Sequence, residues 1–263
     1  MRLAARVEGV GTLGPGIGDW DDAREVLRGA RPFVPTPTVL PAPELLPPAE
    51  RRRCGRNVRL AIAAGLQAAG RSGRAAHEFA TVFTSSNGDG DNLHAICESL
   101  ATDDRLISPT RFHNSVHNAP AGYWGIATRA MKTADSLCAF DGSFGAGLLE
   151  ALVRLAAAPS EAVLVIAYDV PYPEPIHAAR PLPDAFGAAL ALASGDDGAG
   201  TAIMVELVDE APATLADAGL EALRRGNPAA RSLPMLALLA SGSAGRVVIE
   251  YLPGLSLAVE ARP

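Results

Sequence analysis

Within six positions of one short segment lie three side chains able to do covalent or proton-transfer chemistry: the Cys138 thiol, the Asp141 carboxylate and the Ser143 hydroxyl. The segment, residues 135 to 151, reads as a strand, a tight turn and a helix. Small residues at Ala139, Gly142, Ser143, Gly145, Ala146 and Gly147 let backbone and ligand approach closely. Leu148, Leu149, Ala151, Leu152 and Leu155 then supply the apolar face of a helix. The positive end of that helix would acidify a thiol, and the same field stabilises a carboxylate. Asp141 therefore fits the place of a nucleophile electrostatically while being unable to form a thioester as a thiol does, and it equally suits an N-cap. Cys138 falls three residues earlier among apolar and small neighbours, the setting of a structural thiol. Ser143 lies in Asp-Gly-Ser-Phe-Gly, close to the hydrolase elbow Gly-x-Ser-x-Gly but with Asp141 where the first glycine belongs.

A second concentration of chemistry lies between Pro109 and Ile126, where His113 and His117 stand four apart with Asn114, Asn118, Tyr123 and Trp124. A dedicated zinc site needs a third ligand, and neither His94 nor any cysteine has motif spacing to this pair, so no metal is expected. Asp89 and Asp91 follow a strand but lack calcium-loop spacing and its closing glutamate, which leaves helix capping. Gly9, Gly11 and Gly14 match Gly-x-Gly-x-x-Gly. Yet Pro15, Gly16 and Gly18 delay the following helix and no second strand carries a ribose-binding acid, so they are taken as a turn and no cofactor is expected.

The elements that must position these residues are α/β in character. Strands are expected at Arg2 to Val10, Ala80 to Thr84, Ala134 to Ala139, Ala162 to Tyr168, Asp184 to Ala193 and Ala202 to Val208, the last beside the one before it. Helices are expected at Asp19 to Arg28, Pro48 to Ala69, Asn92 to Leu100 and Gly142 to Ala157, then around Leu215 to Arg224 and Ala229 to Ala240. A hairpin of Arg246 to Tyr251 with Leu255 to Ala261 ends the chain. The strand-helix-strand run from Ala134 to Tyr168 implies a right-handed crossover in a parallel sheet. Seven prolines between Pro32 and Pro48 make an extended arm that would suit wrapping a neighbour.

The 263 residues, 48% hydrophobic and 20% charged, support one domain over residues 1–263 with a substantial core. A net charge of -6 with one short arginine cluster, Arg51 to Arg56, argues against nucleic acid. Cys54, Cys97 and Cys138 are odd in number and unpaired by motif, and no apolar run reaches the roughly 20 residues of a membrane helix. A reduced, cytoplasmic protein without membrane contact is expected.

The turn around Asp141, with Ala151 one helix stretch beyond it, resembles the active-site elbow of β-ketoacyl synthases in the thiolase superfamily. There a strand delivers a cysteine to the N-terminus of a buried helix, and Asp141 falls on that cysteine. Asn118-Ala-Pro-Ala-Gly122 resembles the Asn-x-x-Ala-Gly stretch that in this family lies at the dimer interface beside the acyl tunnel. The resemblance covers residues 1–208, roughly the N-terminal half of a ketosynthase, with helices and a terminal hairpin over 209–263. It implies a layered thiolase-like half-fold, truncated relative to complete ketosynthases, whose mixed sheet covers a buried central helix. The family's paired histidines come from the second half, whereas the only histidine after residue 141 here is His177.

In length and in both signatures the chain is similar to the short, chain-length-factor-like subunits of aryl polyene clusters. That likeness implies a non-catalytic partner of a complete β-ketoacyl synthase in a heterodimer, meeting acyl carrier protein through that partner. Phe112, His113, Asn114, Val116, His117, Asn118, Tyr123, Trp124, Phe140 and Phe144 are then the candidates for the acyl pocket or the partner interface. The bulky members of this group also suit ordinary core. An independent acyltransferase or condensing enzyme using Cys138 is the alternative.

Overall fold

The structure, a computed structural model, describes residues 2–195 and 198–263. In chain order the elements are β1 (Arg2–Leu13), α1 (Trp20–Leu27), α2 (Pro48–Arg53), α3 (Arg56–Ser72), β2 (Phe79–Thr84), α4 (Gly90–Leu100), α5 (Pro109–Asn114), α6 (Ala119–Thr128) and β3 (Ala134–Leu137). They continue with α7 (Ser143–Ala157), β4 (Ala162–Asp169), α8 (Ile176–Ala179), β5 (Phe186–Ala193), β6 (Thr201–Val208), α9 (Ala218–Gly226), α10 (Leu233–Ser241), β7 (Gly245–Leu252) and β8 (Leu255–Arg262). Two single 3-10 turns, Phe140–Gly142 and Ala229–Ser232, matter for the site.

The strands form one mixed sheet in the order β3-β2-β4-β5-β1-β6-β8-β7. β2 pairs in parallel with both β3 and β4, so α7 crosses over from β3 to β4 with β2 between them. The remaining pairs are antiparallel. The expected pairing of the Ala202 strand with the Asp184 strand does not occur. β1 separates them, because its long run of small and β-branched residues bonds β5 along one edge and β6 along the other.

Alternation along the central strands sorts side chains into two cores. Val163, Val165 and Ala167 of β4 join Phe144, Leu148, Leu152 and Leu155 of α7 on one face. Leu164, Ile166 and Tyr168 join α3 and α6 on the other. Such strands are buried on both faces, which is why they read as continuous apolar runs. The three α7 leucines are fully buried, each worth about 1.5–3 kcal/mol over exposure.

The sheet also curves around α7. A Cβ on Gly147 would lie 2.8 Å from Thr84 Cγ2 of β2, while one on Gly145 would lie 2.7 Å from the Glu250 carbonyl of β7. The helix is therefore sandwiched between the parallel strands and the terminal hairpin.

Two expectations change in detail. Gly9 and Gly11 lie inside β1 rather than in a turn, because a Cβ there would meet the α3 backbone at Ala68 and Ala64, 2.2 and 2.1 Å from their carbonyls. The helix from Pro48 breaks at Cys54 and Gly55 into α2 and α3. The proline-rich arm follows its own chain: Thr36 accepts from Gly16 and the Thr38 amide donates to Asp184.

Candidate functional site

The site is built where β3 ends and α7 begins. Phe140 has φ 51° and is the one residue of this turn in the left-handed region, a conformation that costs a non-glycine residue roughly 1–2 kcal/mol. The strained apex is thus Phe140, one residue before Asp141. Its side chain projects outward, 61% exposed. Local hydrogen bonds hold the turn: Ser143 Oγ donates to the Phe140 carbonyl at 2.7 Å and accepts from the Ala139 amide at 3.1 Å. Thr84 of β2 anchors the first residue of α7 by donating to the Ser143 carbonyl at 2.7 Å. Ser143 is buried and committed to this structural role.

Asp141 does not cap α7, which has no side-chain cap. Its carboxylate instead accepts from Arg180 at 2.5 Å through Oδ1 and from Arg231 at 3.2 Å through Oδ2. Arg231 also bonds Glu250, which accepts from Arg224 at 2.9 Å, and Arg224 in turn pairs with Glu221 at 2.6 Å. Six charges of alternating sign thus run from α9 through β7 to the elbow. Arg224 holds the Glu221 carboxyl down at about 2. The Arg180 guanidinium carbon lies 3.6 Å from the Phe140 ring centroid, a cation–π stack over the strained residue.

Above the elbow, β7 passes so closely that a Cβ on Gly142 would fall 1.8 Å from the Tyr251 carbonyl. Between the turn, the Asp209–Pro212 loop and the hairpin lies a cavity of about 740 Å³. Phe140, Asp141, Arg231, Glu250, Tyr251 and Leu255 are among its walls.

A buried polar cluster lies beside the elbow at the C-terminal ends of the parallel strands. Asp169 Oδ1 accepts from the Ser86 amide at 2.8 Å, the Ser86 hydroxyl at 2.7 Å and the Ser85 hydroxyl at 3.2 Å. Burial pushes its carboxyl up to about 6, against the lowering effect of those bonds. Ser86 also bonds the Tyr172 hydroxyl at 2.8 Å, and its carbonyl accepts from the Cys138 thiol at 3.0 Å. Cys138 is exposed as a residue while its thiol is engaged as a donor, and among the described residues no base is bonded to it. Asn227 ties the cluster to the arginine network by bonding the Asp169 and Asp184 carbonyls just before the 3-10 turn that carries Arg231.

The ten other candidate residues separate into three groups. Tyr123, Trp124 and Phe144 are core, with Trp124 1% exposed and edge-on to Phe83. Asn114 is buried, accepting from the Tyr123 hydroxyl at 3.1 Å and donating to the Arg53 carbonyl at 2.8 Å. Phe112, His113, Val116, Asn118 and Phe140 are exposed. His117 is half-buried, with both ring nitrogens shielded and without a hydrogen-bond partner. Among the described residues, no group of three His, Cys, Asp or Glu side chains is arranged to hold a metal.

Arg180, Arg231, Glu250 and Asp169 escaped the sequence reading because their partners lie 19 to 90 residues away, on other elements. One signal was available. Arg231 is the single charged residue in the otherwise apolar stretch from Ala229 to Ala240, and an arginine so placed needs a carboxylate.

The sequence matches the β-ketoacyl synthase N-terminal domain over residues 26–248. No curated protein matches the chain in sequence. In fold it is similar to a chain in the structure of a ketosynthase (ApeO) in complex with its chain length factor (ApeC) from Xenorhabdus doucetiae. That match has 24% identity and a TM-score of 0.73, over 98% of this chain and 99% of that one. The ishigamide ketosynthase/chain length factor is 15% identical with a TM-score of 0.69, covering 99% of both chains. A type II polyketide ketosynthase complex with its acyl carrier protein, AntDE:AntF, is 11% identical with a TM-score of 0.73, also over 99% of both.

Proposed function

The chain belongs to the β-ketoacyl synthase N-terminal domain family, and from that premise we propose that it is a non-catalytic, chain-length-factor-like subunit. It acts as a single domain over residues 1–263, paired with a complete β-ketoacyl-ACP synthase whose acyl pocket it helps to shape. The biosynthesis served is of polyene or fatty-acid type, with aryl polyenes as the specific case. Acyl carrier protein engages the complex through the catalytic partner.

The observation that carries this reading is the elbow without a nucleophile. Its apex is Phe140, its next residue is an aspartate bound by two arginines, and its serine is buried in the turn. Claisen condensation needs a thiolate and donors aimed at the developing oxyanion. Here the arginines are paired internally and the Cys138 thiol donates to a backbone carbonyl.

Pairing is supported by the region that follows β2. β3 is an edge strand with one unpaired side, a surface that invites another chain. On the same stretch Leu100, Leu106, Phe112, Val116, Met131 and Phe140 are all exposed. His113 and Asn118 share that exposure and belong to the proposed interface. In the Xenorhabdus complex, a chain of this fold is part of a ketosynthase paired with its chain length factor. The described residues include no helix long and apolar enough to cross a membrane.

The test is co-expression with a complete ketosynthase of such a cluster, followed by size-exclusion chromatography and assay with acyl carrier protein substrates. A stable complex that condenses, beside an isolated chain that does not, is expected. A thioester on Cys138 of the isolated chain would overturn the reading in favour of an independent acyltransferase.

A further inference from the structure

We propose that the arginine face at the junction of α2 and α3 docks an acidic surface of the complete ketosynthase and forms the charged rim of the pairing interface. The inference rests on the pairing proposed above and names the chemistry that the partner brings to it.

Five arginines stand within nine residues, Arg51, Arg52, Arg53, Arg56 and Arg59, in a chain whose net charge is -6. Two of them are met by carboxylates of the same chain: Arg53 pairs with Glu50 at 3.3 Å and Arg56 with Asp91 at 2.9 Å. Arg51 donates to the Glu44 and Leu46 carbonyls instead. Arg52 is exposed and Arg59 partly buried, and among the described residues neither enters an ion pair. The Arg59 Nε is shielded and without a partner.

The two helices give these cations different standing. At the end of α2, Arg51, Arg52 and Arg53 suit the negative pole of their helix. Arg56 and Arg59 open α3, where the pole is positive, the first turn holds no acid and no side chain caps the start. Asp89 comes close, since a Cβ on Gly55 would fall 2.6 Å from its Oδ2, but it is buried. Cations gathered at that end add to the positive field instead of relieving it, and an anion from outside the chain is what relieves it.

The face is continuous with the exposed stretch that supports pairing. Asn114 ends α5 and donates to the Arg53 carbonyl at 2.8 Å, so α5 lies against the end of α2. The same helix carries Arg111 and Phe112, both exposed, and Arg111 meets no carboxylate among the described residues. Phe112 and Val116 thus lie beside the arginine face. Specific interfaces set an apolar centre within a polar rim that water still reaches. Nucleic acid would supply anions without an apolar surface to match Phe112 and Val116, which favours a protein. A basic rim fits an acidic one and steers the encounter from a distance.

The experiment follows association of this chain with the complete ketosynthase by biolayer interferometry, from about 50 to about 500 mM NaCl. The wild-type association rate is expected to fall about tenfold or more across that range, while the dissociation rate changes little. A triple variant, Arg52→Glu with Arg59→Glu and Arg111→Glu, is expected to associate about 10–100-fold more slowly at low salt and to lose most of the salt dependence. Lysine at the same three positions, which keeps the charge, should associate at the wild-type rate, and glutamine should fall between. Thermal unfolding of each variant checks that it is folded. Association indifferent to salt and to all three charges refutes the rim while the pairing stands. If the glutamate variant pairs at the wild-type rate but turnover with acyl carrier protein falls, the face serves the carrier protein and the rim is equally refuted. If the wild-type chain forms no complex, both proposals fall together.

Discussion

Replacing Asp141 by Asn separates two accounts of the elbow that share the same residue. As a helix cap, Asn serves about as well as Asp, so the exchange would be silent. As the shared acceptor of two arginines, Asp141 loses its charge and both charge-assisted bonds weaken. Such a bond is worth about 1.5–3 kcal/mol net when buried, and an exposed ion pair about 0–1 kcal/mol. The Asp141 side chain is 41% exposed against 24% for Arg180 and 19% for Arg231, which places each pair between those limits. The combined loss is expected near 1–2 kcal/mol. With an unfolding entropy of about 2.1 cal/mol/K per residue, a chain of this length should show a Tm lowered by roughly 2–4 °C. Because the screening length falls from about 10 Å at 0.1 M to 3 Å at 1 M salt, the deficit should shrink markedly at the higher concentration. Calorimetry of both proteins at the two salt concentrations reads all of this. A Tm unchanged at both, within about 0.5 °C, would refute a stabilising role for the two arginine pairs at Asp141.

Asp169 gives a pH signature. Its carboxyl is pushed up to about 6 by burial, so the folded state binds the proton more tightly than the unfolded chain, whose carboxyl titrates near 4. Its contribution is fully present below about pH 4 and is lost as pH rises through about 6, a fall of at most ~3 kcal/mol. Asp169→Asn should therefore gain on the wild type between pH 4.5 and 7.5 in urea unfolding, and an equal difference at both values would refute this. Gly142→Ala drives a Cβ to within 1.8 Å of the Tyr251 carbonyl and should cost about 1–3 kcal/mol. Gly122→Ala in α6, with open space around it, should be neutral or stabilising; equal thermal shifts for the two glycines would contradict the tight hairpin contact. Trp124→Ala should lose about 3–5 kcal/mol as a core deletion. Phe112→Ala, exposed by 63%, should leave unfolding within about 0.5 kcal/mol and weaken pairing in co-purification.

How much of this was legible in the sequence follows from the range of the interactions involved. The strand, turn and helix around Asp141 are local, and small residues followed by a leucine face specify them within one stretch. The two-sided burial of β4 was legible as an unbroken apolar run. Sheet order was not. β1 lies between β5 and β6 although it precedes both by more than a hundred residues, and nothing in a short window distinguishes that from direct pairing of consecutive strands. The same limit hid the charge network. Asp141 has no arginine within helical reach, and its partners arrive from the loop after α8 and the 3-10 turn before α10. Gly9 and Gly11 read as a turn for a related reason, since glycine in sequence signals a turn, whereas these two continue β1 where the α3 backbone leaves no room for a Cβ.

The electrostatics of the elbow follow from where those distant partners come from. Arg180, Arg231 and Arg224 alternate with Asp141, Glu250 and Glu221, so three cations and three anions compensate one another. An arginine already sharing its donors with carboxylates has little left to offer a developing oxyanion, and what it does offer is the geometry of a fixed wall. The same network joins the elbow to β7, one strand of the hairpin that closes the cavity, so charge compensation and shape have a common origin. An elbow whose positive groups are neutralised internally, whose apex is a strained aromatic ring and whose roof is its own C-terminal hairpin is organised to present a surface. In the pairing proposed above, the chemistry would fall to the partner, and the contribution of this chain would be the rigidity with which the elbow and the exposed edge beside it are held.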